Sequence, residues 1–445
     1  MRRDRPRLEE LPMIVTDAKL RTVLVASLLG ACAADSGGDG TATATGDTGN
    51  TAGTADSTAD STGALPEGCD IYVEPSDDDQ TALAEAFVDA TDGMTVCLGA
   101  GEFKPTRQQT LQSNGITLKG MGRDSTILDF SAQQTGGNGL LVKGNDVTMQ
   151  DFTVRNPPGD GIRADQVENV TFERVDVIWE AQHSLDNGAY GLYPVQATGV
   201  VIRECQVVGA RDAGIYVGQS TQIIIEDSVA HDNVAGIEIE NSTDAIVRRN
   251  EAYANTAGIL VFNLPGLDVK DGKRANVYEN DVHDNNTDNF ADPGTVVGIV
   301  PPGVGMLVLA ADGNEIHDNQ VTNNRSVGIG LIAYSSESGL FEAPNDPEYD
   351  IYSEGNFIHD NTYTNNGSDP DPLLSLLTGM AMPTPDIVFD GCFGADKDNT
   401  DGAFSNCVAE ADTVRFMDAD LCGQGMGIST DVSLVACTHD PLPTE

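Results

Sequence analysis

The sequence predicts an all-β fold: a single-stranded right-handed parallel β-helix with a short N-terminal capping helix and a cysteine-containing C-terminal cap. Three observations carry this. Gly-aliphatic strand starts recur at Gly214-Ile215, Gly236-Ile237 and Gly258-Ile259, at a constant step of 22 residues. The units align without a gap, so that Gln219-Ser220-Thr221 falls on Asn241-Ser242-Thr243. Glycine is frequent and no apolar period of 3.6 persists, which argues against stacked helices. A fixed period near twenty, built from a Gly turn and short β-branched runs, marks a solenoid whose rungs are stable only when stacked. Right-handedness follows from the general preference of parallel crossovers.

In chain order, residues 1–31 read as a signal peptide. An apolar run at 23–29 follows Lys19 and Arg21 and ends in Leu29-Gly30-Ala31-Cys32. The run is too short for a permanent spanning helix. It resembles a bacterial lipoprotein signal, which implies that Cys32 is lipidated. Ala33 in place of Asp implies, by the same resemblance, an anchor in the outer membrane. Residues 32–67 are the lipidated Cys and a tether of Thr, Gly, Ala, Asp and Ser with almost nothing to bury. Residues 68–123 read as the N-terminal cap and first coils: 80–90 has Leu83, Ala86 and Phe87 on one helical face, and 94–98 and 116–118 read as strands.

Residues 124–370 hold the repeats. The Gly-aliphatic mark extends to Gly139, Gly161, Gly191, Gly305 and Gly328. Strand alternation puts Ile162, Leu192, Ile215, Ile237, Ile259, Met306 and Ile329 in one inward column, and Ala164, Pro194, Val217, Ile239, Val261, Val308 and Leu331 in another. A second strand per rung carries Val170/Phe172, Val200/Ile202 and Ile223/Ile225, followed by a turn column of Val175, Cys205, Ser228 and Asn250 with amide stacking. The step from Gly161 to Gly191 is 30 residues, placing an insertion at 180–190. The step from Gly258 to Gly305 is 47, which reads as two rungs. Segments 270–302 and 333–355, rich in Asp, Asn, Gly and Pro, read as interruptions. After Ser368 the register is lost, and 371–445 reads as the C-terminal cap, with 373–382 as a helix or apolar plug.

The chain has 24 basic and 70 acidic residues, a formal net charge of −46. Nucleic acid is therefore excluded as a natural partner. Unaided capture of an anionic polysaccharide is disfavoured too, unless Ca²⁺ screens the surface or a local basic spot suffices. A monomer is expected. Setting aside Cys32 and the columnar Cys205 leaves six cysteines, Cys69, Cys97, Cys392, Cys407, Cys422 and Cys437. Export permits disulfides. Cys69 with Cys97 is expected, whereas the last four allow three connectivities.

The outward positions of the same strands hold the candidate binding site. One column runs Arg163, Tyr193, Tyr216, Glu238, Leu260, and the next runs Asp165, Val195, Gly218, Glu240, Phe262. An aromatic flanked by charges on an open sheet suits sugar rings, whose faces stack and whose edges hydrogen-bond. Glu238 and Glu240 share one strand face and suit either inverting hydrolysis or Ca²⁺. His183, in the insertion, is a candidate base; Tyr190 is a candidate acid; Arg211 and Asp212, in the turn before Gly214, are further catalytic candidates flanking the same groove. His-Asp-Asn recurs at His231, His283, His317 and His359, but not in one column, and turn chemistry explains it better than a metal. The sequence identifies no metal ligand set.

Over residues 159–302 these motifs resemble the right-handed parallel β-helix repeat proteins of bacterial exports, the pectin-lyase-like class. That class includes pectate lyases, polygalacturonase-type glycosidases, mannuronan C5-epimerases and non-catalytic accessory proteins. The epimerase strand reads Tyr-Gly-x-Asp-Pro-His. Here it is Tyr190-Gly191-Leu192-Tyr193-Pro194-Val195, so Tyr193 replaces the Asp and Val195 the His. The expected function is an exported, lipid-anchored β-helix that recognises a polysaccharide around Tyr193 and Tyr216. Lyase, epimerase and hydrolase chemistry stay open. The alternative is a structural or accessory surface protein without a sugar ligand.

Overall fold

The computed structural model describes residues 65–335, 341–394, 397, 399–411, 413–423 and 427–445. The expected signal peptide, lipidation at Cys32 and most of the tether lie outside them. Within them the chain is a right-handed parallel β-solenoid of about 13 turns. The coils between the two ends contribute strands to three parallel sheets. The first sheet runs from Ile71–Val73 to Cys407–Ala409, the second from Gly101–Phe103 to Thr362–Thr364, and the third from Arg107–Leu111 to Phe416–Asp418. Val147–Arg155 and Glu168–Ile178 pass through the first corner without a break and join the first two sheets.

The inward columns are those of the repeat. Ile162, Leu192, Ile215, Ile237, Ile259, Met306 and Ile329 pair rung on rung in the third sheet, all at 2% exposure or less. In the first sheet Phe172, Ile202 and Ile225 do the same. Corners are made by single residues in the left-handed region: Glu204, Asp227, Arg249 and Glu279 occupy equivalent corners at φ 52°, 52°, 54° and 55°. The glycine at the second position of the third-sheet strands from Asp160–Asp165 to Val327–Ile332 has a steric reason. A Cβ on Gly236 would lie 2.6 Å from the Gly258 carbonyl and 2.9 Å from the Asn255 amide of the next rung. One on Gly258 would lie 2.5 Å from the Gly305 carbonyl.

Buried asparagines form ladders along the axis. In one, Ser228, Asn250, Asn280, Asn319 and Asn361 follow the corner between the first and second sheets. The Asn280 carboxamide oxygen accepts the Asn250 backbone N–H and side-chain N–H, both at 3.0 Å. Its own Nδ2 donates to Val247 O and to Asn319 Oδ1, both at 2.9 Å. The ladder ends at Glu410, which accepts the backbone and side-chain N–H of Asn361 at 3.0 and 2.9 Å. A second ladder, Asn233, Asn255, Asn285, Asn324 and Asn366, follows the corner after the second sheet. The histidines form two outer stacks, His231–Tyr253–His283 and Tyr278–His317–His359, with interplanar angles of 2–11°. Each of these histidines bonds through Nδ1 to the aspartate that follows it at the turn.

The N-terminal end is covered by the helix Asp79–Asp89, which buries Leu83, Ala86 and Phe87 and is capped by Asp78. Cys69–Cys97 ties the first two strands of the first sheet together. At the other end the pairs are Cys392–Cys422 and Cys407–Cys437. Cys205 is buried with a free thiol. No helix of the described residues is long and apolar enough to cross a membrane.

Three sequence expectations are corrected. The 47-residue step is a single coil, because Ala257 pairs directly with Val304. Residues 273–283 supply ordinary strands, Lys273–Tyr278 and Asp281–His283, and the surplus lies in the excursions at 263–272 and 284–303. The ladders also continue past 368: Ile387–Phe389 pairs with the preceding third-sheet strand and Cys407–Ala409 with Phe357–His359. These short strands are separated by long loops, so no sequence period marks them. The region 373–382 contributes only a six-residue helix, Pro372–Leu377.

The third correction concerns the outer face of the third sheet, which is not an open surface. Tyr216, Glu238, Glu240, Leu260 and Phe262 are 2–8% exposed. The excursions after Phe262, His283 and Ile332 fold back and build a second core on this face, with Val297, Val300 and Tyr349 over Leu260, Phe262 and Leu309. The cause is the run of apolar outward positions Leu260, Phe262, Leu307 and Leu309, whose exposure to water a cover relieves.

Candidate functional site

The cover and the sheet form the walls of a half-open cavity of about 170 Å³. Its floor carries Tyr190, Asp212, Tyr216, Glu238 and Glu240; its roof and far wall carry Leu264, Val296, Val297 and Val300. Strand alternation aims Tyr216 and Glu238 outward from adjacent rungs, and Gly218 faces Glu240 two residues on. The absence of a side chain at Gly218 leaves room for the Tyr216 ring, whose phenolic carbon would lie 2.6 Å from a Cβ there. The Tyr216 hydroxyl donates to Glu240. Three tyrosine rings pack together: Tyr190 lies 4.6 Å from Tyr193 and 4.5 Å from Tyr216, and Tyr193 meets Tyr216 edge-on at 5.0 Å.

Outside the cavity, Arg163 lies with its guanidinium carbon 4.9 Å from the Tyr193 ring centre and bonds Asp165 at 3.2 Å. Lys143 also reaches Asp165. This half of the column, Arg163 and Tyr193, is partly exposed.

Burial governs the protonation of the acids. It pushes Asp212 up to about 7, against the opposing effects of the Tyr190 hydroxyl and the Arg211 charge. It pushes Glu240 up to about 8, with the Asp212 charge adding to it. Glu238 goes well above the usual carboxylate range for the same two reasons. Its Oε1 is buried without a hydrogen-bond partner. Asp160, whose carboxylate accepts the Tyr190 backbone N–H, is raised to about 6 by burial. Burial and the surrounding acids hold Tyr190 well above the ordinary phenol range, and burial puts Tyr193 at about 12.

These shifts have a consequence for stability. The unfolded chain releases the same protons at roughly pH 4. Between that value and about 8 the folded state holds more protons, so stability falls as pH rises through this window. Urea unfolding midpoints should therefore drop from pH 5 to pH 8.5, and Glu240→Gln should flatten the slope. A wild-type profile rising over that range would contradict the assignment.

The structure brings Tyr190, Asp212, Tyr193, Tyr216, Glu238 and Glu240 together, with Arg163 and Asp165 on the adjoining rung. Arg211 does not line the cavity and acts on Asp160 and Asp212 through its charge. His183 does not line it either: Nε2 meets Asp232 at 3.2 Å and the ring rests 5.2 Å from Phe290. Asp160 and the apolar roof were missed by sequence reasoning. The apolar outward residues of the Leu260 and Leu307 strands were the available sign of a roof.

Two other groups of metal-ligating side chains occur among the described residues. Glu251, Asp281 and His283 sit on the second sheet, partly exposed. Asp312, Asp350 and Glu354 form the other, and Lys397 already places its ammonium among them.

A family model described as "Right handed beta helix region" matches residues 138–265. No curated protein matches the chain. Similar solved structures include the A-module of mannuronan C-5 epimerase AlgE4 of Azotobacter vinelandii, at 18% identity over 77% of this chain and 92% of that one, with TM-score 0.49. The A-module of AlgE6 from the same organism gives 18%, 76%, 91% and 0.47. An exopolygalacturonase from Thermotoga maritima gives 10%, 79%, 91% and 0.48. The likeness is one of fold.

Proposed function

We propose that this chain is an exported, lipid-anchored β-helix that recognises a polysaccharide at the edge of the cover and processes it by proton transfer through Asp212 and Tyr190. The observation that carries the reading is the continuity of two environments on one sheet face. A partly exposed shelf of Arg163 and Tyr193 leads to a buried acid cluster in which Asp212 is held near neutrality. The shelf offers a ring face and hydrogen-bonding edges to a sugar. A carboxyl that exchanges its proton near pH 7 suits general acid–base work, and a contacting phenol supplies a second proton site. The Leu29-Gly30-Ala31-Cys32 stretch supports the anchor.

A second reading, recognition without turnover, is favoured by one observation. The positions that are Asp and His in the epimerase strand are Tyr193 and a buried Val195.

A polysaccharide binding and turnover screen, with and without Ca²⁺, tests both. Tyr193→Ala should lower affinity about tenfold, the loss of one stacked ring at about 0.5–1.5 kcal/mol plus its buried area. Unchanged binding and turnover in that variant would remove the shelf from the site.

A further inference from the structure

We propose that the glycan taken by this site carries free amino groups, and that a primary ammonium docks on Glu238 inside the cavity beside Asp212 and Glu240. The inference rests on the glycan reading above and narrows it to a substrate class.

Four features of the cavity lead there. Glu238 is 2% exposed, lines the cavity, and its Oε1 has no hydrogen-bond partner. A buried polar oxygen left so is costly unless a ligand donates to it. Asp212 and Glu240 line the same space, so an entering group meets three carboxyls and no lysine or arginine. An ammonium there finds carboxyl acceptors and favours their ionised form, which burial alone suppresses, whereas a carboxylate would oppose that ionisation. The arginines nearby are engaged by acids: Arg163 by Asp165, and Arg211 by the charges of Asp160 and Asp212. The aliphatic roof of Leu264, Val296, Val297 and Val300 covers one side of the site and lowers the polarity around the ion pair, which strengthens it. The chain's net charge of −46 acts in the same direction by drawing polycations towards the surface. A hexosamine polymer unites the required parts: ammonium groups for the acid floor, and sugar ring faces for the Tyr193 shelf.

Isothermal titration calorimetry on the full chain decides it. The probes are a glucosamine tetramer, its N-acetylated counterpart, a neutral glucose tetramer and a galacturonate tetramer. The glucosamine tetramer should bind at least tenfold more tightly than each of the others, and Glu238→Gln should lose about tenfold for it alone. Asp212→Asn, a second isosteric change, should weaken the same ligand selectively. If the acetylated, neutral or acidic tetramer binds as well as or better than glucosamine, this inference falls while the glycan reading stands. If no oligosaccharide binds, both fall.

Discussion

Replacing Asp212 by asparagine should lower turnover of the cognate polysaccharide about 10²–10⁴-fold, the usual contribution of a positioned acid or base. Binding should be affected far less when the ligand is uncharged, because asparagine keeps the shape and the contact with Tyr190. The physical ground is the position of Asp212 at the cavity floor, where burial raises it to about 7 and makes both protonation states available at neutral pH. Steady-state kinetics on the variant, with thermal melts to show that the coil is intact, is the measurement. Turnover equal to wild type would take Asp212 out of the chemistry. Removal of a carboxyl with a raised pKa should stabilise the protein above pH 7, and the melts separate loss of activity from unfolding.

Asn280→Ala should destabilise the solenoid by about 2–6 kcal/mol, because it strands at least two buried groups at about 1–3 kcal/mol each. The Asn250 amide loses the oxygen that takes two of its N–H bonds, and the Val247 carbonyl and Asn319 oxygen each lose a donor. Cavity formation adds to this, since Asn280 is 1% exposed. A coil contacts only its neighbours, so opening should begin at this rung and leave distant rungs protected. Hydrogen exchange resolved along the chain would show it. Asn280→Asp should also be harmful, because it removes the two donors while keeping the acceptor. A variant as stable as wild type would mean that the ladder carries no net stability.

Much of this architecture is legible in the residues, and the reason is periodicity. Gly214, Gly236 and Gly258 are constrained by contact with the next rung, so their spacing reports the coil directly. The inward columns follow from strand alternation and came out in register through Ile329. The rung order of Arg163, Tyr193, Tyr216 and Glu238 was likewise readable. What periodicity does not encode is the path of the excursions. The residues of 286–303 have no repeat, and their return onto the outer face depends on long-range burial that leaves only an indirect mark, the apolar Leu260 and Phe262. For that reason the site looked like an open strip and is half a roofed chamber. Asp160 was missed for a related reason: its role comes from its neighbours Tyr190 and Arg211, which are separated from it in sequence. The pairing of Cys392 with Cys422 and of Cys407 with Cys437 was undetermined for the same cause.

Glu410 ends the first asparagine ladder with an acceptor. Along the column from Asn250 to Asn361 every carboxamide points the same way, receiving on its oxygen and passing a bond onward through its nitrogen. A carboxylate receives but has no N–H to hand on, so the relay stops at Glu410. A second molecule arriving at this end finds no donor in that column to dock against. In this column at least, the end offers no continuation for head-to-tail fibre formation, a hazard for any body made of stacked layers.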